Sequence, residues 1–329
     1  MDQQGTQAAH GTAAMPDGGG QASSAAAPSG VGTPKAPPVA PSPNLGPRPV
    51  KDAATVLLVR QAARSADVGG GSDGDSGDNG AAGVEVFMQV RASTMAFASG
   101  AAVFPGGSVD PSDYEDSRLW GQDGGELVLR HDPLVADQAT RAGAVVSAAL
   151  RESYEECGVL LAVPAPGGGW VEPQDREDLS AHRSSLSAVL SRRGLVPNLA
   201  GLREVDRWVT PEGEPRRYDT HFFVAALPHG QEADGETTES ARSFWITPAA
   251  ALARFAAGDL FLMPPTWAQL ERLSQASSVE QALRLSASGI TQPILERVNG
   301  RVVASFWGAE AYGKAAGQAQ AAVAARAKP

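Results

Sequence analysis

The sequence predicts an α/β fold: an α/β/α sandwich with a mixed sheet between helices, enlarged by insertions and by a C-terminal helical extension. Two observations predict it. Short β-prone apolar runs recur near 55–59, 84–90, 101–104, 203–210 and 217–227. Segments with helix start and stop signals fall between and after them, chiefly at 139–157 and 248–257. Alternation of the two along one chain is the mark of a layered α/β domain.

Taken in order, residues 1–50 are nearly all Gly, Ala, Ser, Pro, Thr and Gln without apolar periodicity. Such a stretch cannot bury enough surface to offset its ordering entropy, so a disordered tail is expected. The folded part begins near Ala53, where Thr55, Val56, Leu57, Leu58 and Val59 form the first strand. The Gly, Asp and Ser tract at 65–83 holds Asp73, Asp75 and Asp78 but lacks the terminal Glu of a calcium loop, so it reads as a flexible hairpin insertion. Val84, Val86, Met88 and Val90 then alternate with Glu85, Phe87, Gln89 and Arg91, a second strand that should pair with the first. Ala101 to Phe104 leads into a turn at Pro105, Gly106 and Gly107.

A helix from about Ala139 to Cys157 is closed by Gly158 as a left-handed cap. A further helix is expected over 180–193, strands over 203–210, 217–227 and 243–247, and a helix starting at Pro248. Another helix over 266–285, with Thr266 as a candidate cap, and a hairpin over 294–306 turning at Asn299 and Gly300 complete the pattern. The expected division is a tail at 1–50, a main folded domain at 51–260 with insertions at 65–83 and 114–138, a helical and hairpin extension at 261–313 and a flexible tail at 314–329.

Composition narrows the chemistry. One cysteine, Cys157, excludes an intrachain disulfide, a Cys-rich zinc site and a CxxC redox motif. A net charge of -10 disfavours a nucleic-acid clamp, which needs clustered Lys and Arg. No run of apolar residues is long enough to span a membrane and no secretory leader opens the sequence, so a cytoplasmic location is the expectation.

The informative run is Arg151, Glu152, Ser153, Tyr154, Glu155, Glu156, Cys157, Gly158 and Val159. On a helix, Glu152, Glu155 and Glu156 stand at i, i+3 and i+4 and share one face, while Val146, Leu150, Tyr154 and Cys157 take the other. Like charges on adjacent turns repel, so a further partner should favour the arrangement. A hard divalent cation would do so, because Mg²⁺ takes oxygen ligands and is commonly shared between carboxylates and phosphates. The plainer alternative is a solvated acidic face with Arg151 and Glu155 as an i, i+4 pair.

Here the chain resembles the Nudix hydrolase family, whose box reads Gly, five residues, Glu, seven residues, then Arg-Glu-x-x-Glu-Glu-x-Gly and an apolar residue. Phe104 to Gly107 match the lead-in, Asp113 takes the place of the first Glu, and Arg151 to Val159 match the second half. Residues 114–150 replace the family's seven, and Ser153 replaces a commoner aliphatic residue. The long insertion, the stretch Arg217 to Phe223 and the run Trp245 to Pro248 are similar to the subfamily that includes peroxisomal coenzyme A diphosphatases. Of that group's upstream signature the chain has Arg91, Ala92 and Ser93, but Phe97 where a second Arg is expected.

The resemblance implies metal-dependent hydrolysis of a nucleoside diphosphate linked to X, such as a coenzyme A derivative, ADP-ribose or a nucleotide sugar, with Mg²⁺ or Mn²⁺ as cofactor. Glu152, Glu155 and Glu156 are then expected as metal ligands, with the Gly106 carbonyl as a further donor and Arg151 orienting the carboxylates. Asp113 could assist the metal or a base. Glu239 is the first candidate for general base and Glu236 the second. His221 and His229 are weaker candidates, His221 reading as a satisfied strand histidine, and Cys157 reads as core. Trp120, Trp208, Trp245 and Trp267 could stack on a base, although scattered tryptophans usually pack. A small-molecule diphosphate is the expected partner, with a homodimer possible, and a catalytically weak Nudix-fold nucleotide sensor is the competing function.

Overall fold

The computed structural model describes residues 49–63, 83–92, 98–119, 138–235, 237, 240–298 and 301–327. The expected N-terminal tail, apart from Pro49 and Val50, and the 65–83 insertion, apart from Gly83, lie outside the described residues, as does 120–137 of the second insertion.

The central strand is β1 (Val50–Gln61), longer than its five-residue apolar run. It pairs antiparallel with β2 (Val84–Arg91) and with β4 (Gly106–Ser108), and parallel with β8 (Arg217–Ala226). Adding β3 (Ala101–Val103), β7 (Leu202–Val209), β10 (Phe261–Leu262) and β11 (Ile290–Thr291) gives the order β10-β3-β2-β1-β8-β7-β11, with β4 on β1 and β9 (Ser240–Ile246) on β2. The sheet is mixed, as expected. The outer strands β10 and β11 come from the region read as a C-terminal extension, so that region contributes to the same sheet.

The two faces of the sheet bury alternate residues. Ala54, Val56, Leu58, Phe87, Phe223 and Ala225 pack on one side against helix α2 (Gln138–Cys157) through Val145, Val146 and Ala149. Leu57, Val59, Met88 and Val224 pack on the other against α5 (Pro248–Ala256) and α6 (Pro264–Leu273) through Phe255, Trp267 and Leu270. Strands apolar on both faces are what a covered sheet requires, and each fully buried Leu, Val or Phe contributes about 1.5–3 kcal/mol.

Several elements differ from expectation. A short helix α1 (Pro111–Asp116) follows the glycine bend. In place of one helix at 180–193 there are α3 (Pro173–Ser180) and α4 (Leu186–Arg193), separated by His182 at a φ of 53° and restarted by Ser185, which accepts from the Ala188 amide. Between them and α2, β5 (Ala162–Pro164) pairs with β6 (Leu195–Pro197). The helix expected over 266–285 also divides, into α6 and α7 (Val279–Leu283), the second capped by Ser278. Thr266 is no cap: it is buried inside α6, whose N-cap is Met263. Strands β12 (Ile294–Val298) and β13 (Arg301–Ser305) form the expected hairpin, while its turn residues lie outside the described ones. Where a flexible tail was expected from 314, helix α8 (Ala309–Arg326) forms, with Tyr312 stacked on Phe255 and its hydroxyl donating to the Leu262 carbonyl.

Candidate active site

The acidic turn is the last turn of α2. Leu150, Tyr154 and Cys157 bury one side of it, and Gly158, at a φ of 70°, ends the helix by returning its N–H to the Tyr154 carbonyl at 3.0 Å. The final carbonyls, which no helical partner can satisfy, are capped from three separate elements. Gln89 Nε2 on β2 donates to the Glu156 carbonyl at 3.0 Å, Arg176 Nε on α3 to that of Glu155 at 3.1 Å, and the Asp234 amide after β8 to that of Cys157 at 3.0 Å.

The glycine bend lies along the acidic face residue by residue. The Gly106 amide donates to Glu156 Oε2 at 2.9 Å, and the Ser108 carbonyl accepts from Arg151 Nη2 at 3.0 Å. Between them, a Cβ added to Gly107 would stand 2.2 Å from Glu152 Oε1, and one added to Gly106 would stand 2.4 Å from the Ala54 carbonyl oxygen. At 106 the clash is with backbone, which only glycine avoids, while a side chain at 107 would have to displace the Glu152 carboxylate. The bend is held there because Gly106 and Gly107 pair with Thr55 and Ala54 on β1.

Arg151 is the hub. Its side chain is only 4% exposed, and its Nε and Nη2 fork onto Asp113 at 3.0 and 2.9 Å. Nη1 donates to Glu152 Oε1 at 2.9 Å and Glu155 Oε2 at 2.8 Å. Burial works against the Arg151 charge, but the Asp113 hydrogen bond and the surrounding carboxylates hold the guanidinium above its usual range. Burial raises the Asp113 and Glu155 carboxyls and pushes Glu152 up to about 7, with Arg151 opposing in each case. Glu155 Oε1 is buried without a hydrogen-bond partner among the described residues. An orphaned buried acceptor costs on the order of 1–3 kcal/mol, and more when charged.

The structure thus brings Arg151, Glu152, Glu155, Glu156 and Gly106 together. As the side chains lie, no three His, Cys, Asp or Glu residues among those described are grouped to hold a metal ion. Glu152 and Glu155 are turned onto Arg151, and Glu156 onto the Gly106 amide. Asp113 sits in the first turn of α1, fully buried, where its Oδ2 also accepts from the Asp110 amide at 2.8 Å. Its contacts are those of a support for Arg151.

Glu236, Glu239 and Trp120 lie outside the described residues. His221 is buried with Nδ1 2.6 Å from Glu204 Oε1, while His229 is exposed. Cys157 is buried in the core as expected, where burial pushes its thiol up to about 12 and its Sγ donates to the Ser153 carbonyl at 2.9 Å. Trp208 donates to buried Asp206, Trp267 packs edge-on to Tyr312, and Trp245 lies between Phe87 and the Arg60 guanidinium. Gln89, Arg176 and Asp234 were not singled out in the sequence. Gln89 could have been noticed as a polar residue on a buried strand face, whereas nothing local marks the other two.

A family model described as the NUDT19 Nudix domain matches residues 129–273. Two curated relatives, both named acyl-coenzyme A diphosphatase NUDT19, are similar in sequence. The protein from Xenopus laevis is 27% identical over 234 residues, 60% of this chain and 61% of that one. The protein from Gallus gallus is 28% identical over 251 residues, 61% of this chain and 64% of that one. The chain therefore spans somewhat over three fifths of the length of these relatives. Among solved structures, a NUDIX hydrolase from Alicyclobacillus acidocaldarius aligns with a TM-score of 0.59 and 31% identity, covering 73% of this chain and 98% of that one. With that identity over nearly the whole of a solved Nudix hydrolase, and with both halves of the Nudix box meeting at one helix end, the chain belongs to the Nudix hydrolase family.

Proposed function

We propose that this protein hydrolyses the diphosphate bridge of a nucleoside diphosphate linked to another group, in dependence on a divalent cation, Mg²⁺ or Mn²⁺, and that a coenzyme A derivative is the substrate class. The observation that carries this reading is the unpartnered Glu155 Oε1, buried in a cluster where Glu152, Glu155 and Asp113 all face the single cation Arg151. A hard cation fits that donor set, because it takes carboxylate oxygens and would satisfy the orphan.

Glu152, Glu155 and Glu156 would hold the ion, with the Gly106 carbonyl as a further oxygen donor. When bound, such an ion neutralises phosphoryl oxygens and acidifies water. The chain's own residues supply the rest. Asp113 fixes the Arg151 guanidinium by a two-point fork, and Arg151 in turn holds the near oxygens of Glu152 and Glu155. The glycines let the main chain lie against the acidic face. Glu239, with Glu236 second, is proposed as the base that takes a proton from the attacking water. One water adds across the P–O–P bridge, giving two phosphate monoesters.

Coenzyme A derivatives come forward from the two relatives named acyl-coenzyme A diphosphatases. Arg91 supports the choice. It follows Gln89 by two positions on β2, and its buried Nε has no hydrogen-bond partner among the described residues, a donor that an anionic group would satisfy.

The test is a panel of diphosphates incubated with the full chain and Mn²⁺, with products identified by mass. A coenzyme A derivative should yield adenosine 3′,5′-bisphosphate and a phosphopantetheine fragment. Cleavage of ADP-ribose or a nucleotide sugar alone would overturn the substrate class, and tight binding without any product would favour a nucleotide sensor.

A further inference from the structure

The last turn of α2 is held from outside in a way the hydrolysis reading does not use. Arg176 lies on α3, in the segment that follows the Nudix box, yet its guanidinium reaches out of that segment in two directions. Nε donates to the Glu155 carbonyl at 3.1 Å, while Nη1 and Nη2 fork onto Asp234 at 2.7 and 2.9 Å. The Asp234 amide closes the ring by donating to the Cys157 carbonyl at 3.0 Å. A single side chain therefore ties together α3, the end of α2 and the chain after β8. Gly158 fits inside the ring: a Cβ there would stand 2.7 Å from Asp234 Oδ2 and 3.0 Å from Arg176 Nη1.

The geometry points to Arg176 as a positioning residue for the acidic turn, with Asp234 as its anchor; this rests on the functional reading above. The main chain at Glu155 is fixed by a charge-assisted bond at the negative end of the helix dipole. The Glu155 side chain on that same residue keeps an oxygen without a partner. A fixed backbone beneath an unsatisfied carboxylate is preorganisation: the oxygens are held where a cation must find them, and little ordering is left to the binding step. Water could satisfy an exposed helix end equally well in energy, but it would not fix the turn.

The experiment measures Mn²⁺ binding directly, by the electron paramagnetic resonance signal of free Mn²⁺, on the full-length chain and on Arg176→Ala, Arg176→Lys and Asp234→Asn. Arg193→Ala is the control, because Arg193 pairs with Glu172 and Asp175 inside the segment 172–193. We expect Arg176→Ala to weaken Mn²⁺ binding about 10-fold, the low end for loss of an outer-shell support. It should lower kcat by a similar factor while KM for the diphosphate changes less. Arg176→Lys, which keeps the charge but loses the fork, should fall between Arg176→Ala and wild type, and Asp234→Asn should follow it. Arg193→Ala should bind Mn²⁺ like wild type. Wild-type binding by Arg176→Ala overturns the inference, as does an equal loss in Arg193→Ala, which would mark a general loosening. Should Arg176→Ala fail to fold, Arg176→Lys decides: binding equal to wild type overturns the inference. A wild-type chain that neither binds Mn²⁺ nor cleaves any diphosphate overturns the functional reading itself.

Discussion

Two charged clusters in this protein use the same residue types and differ in stoichiometry. At the start of α2, Arg141 bonds both oxygens of Asp52 and reaches Asp219 at 2.7 Å, and Arg207 forks onto Asp219 at 2.7 and 2.6 Å. Two cations meet two anions there, and every carboxylate oxygen is engaged. At the end of the same helix Arg151 alone faces Asp113, Glu152 and Glu155, with Glu156 alongside, and an oxygen is left over. Their titration follows. Burial alone would raise Asp219, but the Arg207 fork outweighs it and holds that carboxyl below its usual value, whereas burial wins at Glu152 and pushes it up to about 7. The closed cluster is a fastener, and under the proposed function the open one would receive a cation.

The most forceful way to break this contrast is Glu156→Gln. It keeps an acceptor for the Gly106 amide but removes a charge from the open cluster, so kcat should fall by ~10³-fold or more with the fold retained. Residual turnover near the wild-type rate would remove Glu156 from the ligand set. Next comes Asp219→Asn in the closed cluster. Removing the Asp219 charge from its buried pair with Arg207 should cost about 3–5 kcal/mol in urea unfolding, and the Mn²⁺ concentration giving half activity should stay unchanged. If that concentration moves, the two clusters are coupled and the contrast is too sharp.

A pH series sharpens it further. Glu152 has an ordinary value of 4.5 and a folded value of about 7, so the folded chain binds this proton more tightly than the unfolded one. The sign follows: the contribution is complete below 4.5 and is lost as pH rises through 7. Metal-free stability should therefore decline across that window by roughly 1–3 kcal/mol. Asp219, held below 3.8, changes only at lower pH and does not oppose it. Saturating Mn²⁺ should reverse the slope, and Glu152→Gln should make it shallower, with Asp113 and Glu155, also raised by burial, left to contribute in the same direction; metal-free stability that climbs between those pH values would contradict the assignment. The smallest effect on the fold is expected from Gly107→Ala. Its Cβ would meet the end of the flexible Glu152 side chain, so stability should change by less than about 1 kcal/mol while activity drops about 10-fold as Glu152 is displaced.

The elements legible in the sequence are those whose signal is local. The i, i+3, i+4 glutamates and the cap Gly158 marked α2 to within a residue, and the period of two marked β2. Helix α8 was not legible, because its Ala- and Gln-rich sequence presents no strong apolar face. It is ordered through Tyr312 against Phe255 and Trp267, contacts made across the fold. The breaks near His182 and Ser278 were missed for a related reason: helix-compatible residues ran through both, and only the caps at Ser185 and Ser278 showed the restart. At the site, the box gave the carboxylates and Arg151. It did not give Asp113's fork onto Arg151, because residues 114–150 part the two halves of the box, or the cap from Arg176, which lies beyond it.

The long parallel register of β1 on β8, from Val50 beside Arg217 to Val59 beside Ala226, has a consequence for biosynthesis. The middle strand leaves the ribosome early and must wait for residue 226 before one of its edges is covered. Until then an apolar ribbon with open hydrogen-bonding groups is exposed to other nascent chains. Fragments ending before Arg217 should accordingly collect in the insoluble fraction, while those extending past Ala226 gain the neighbour that shields it.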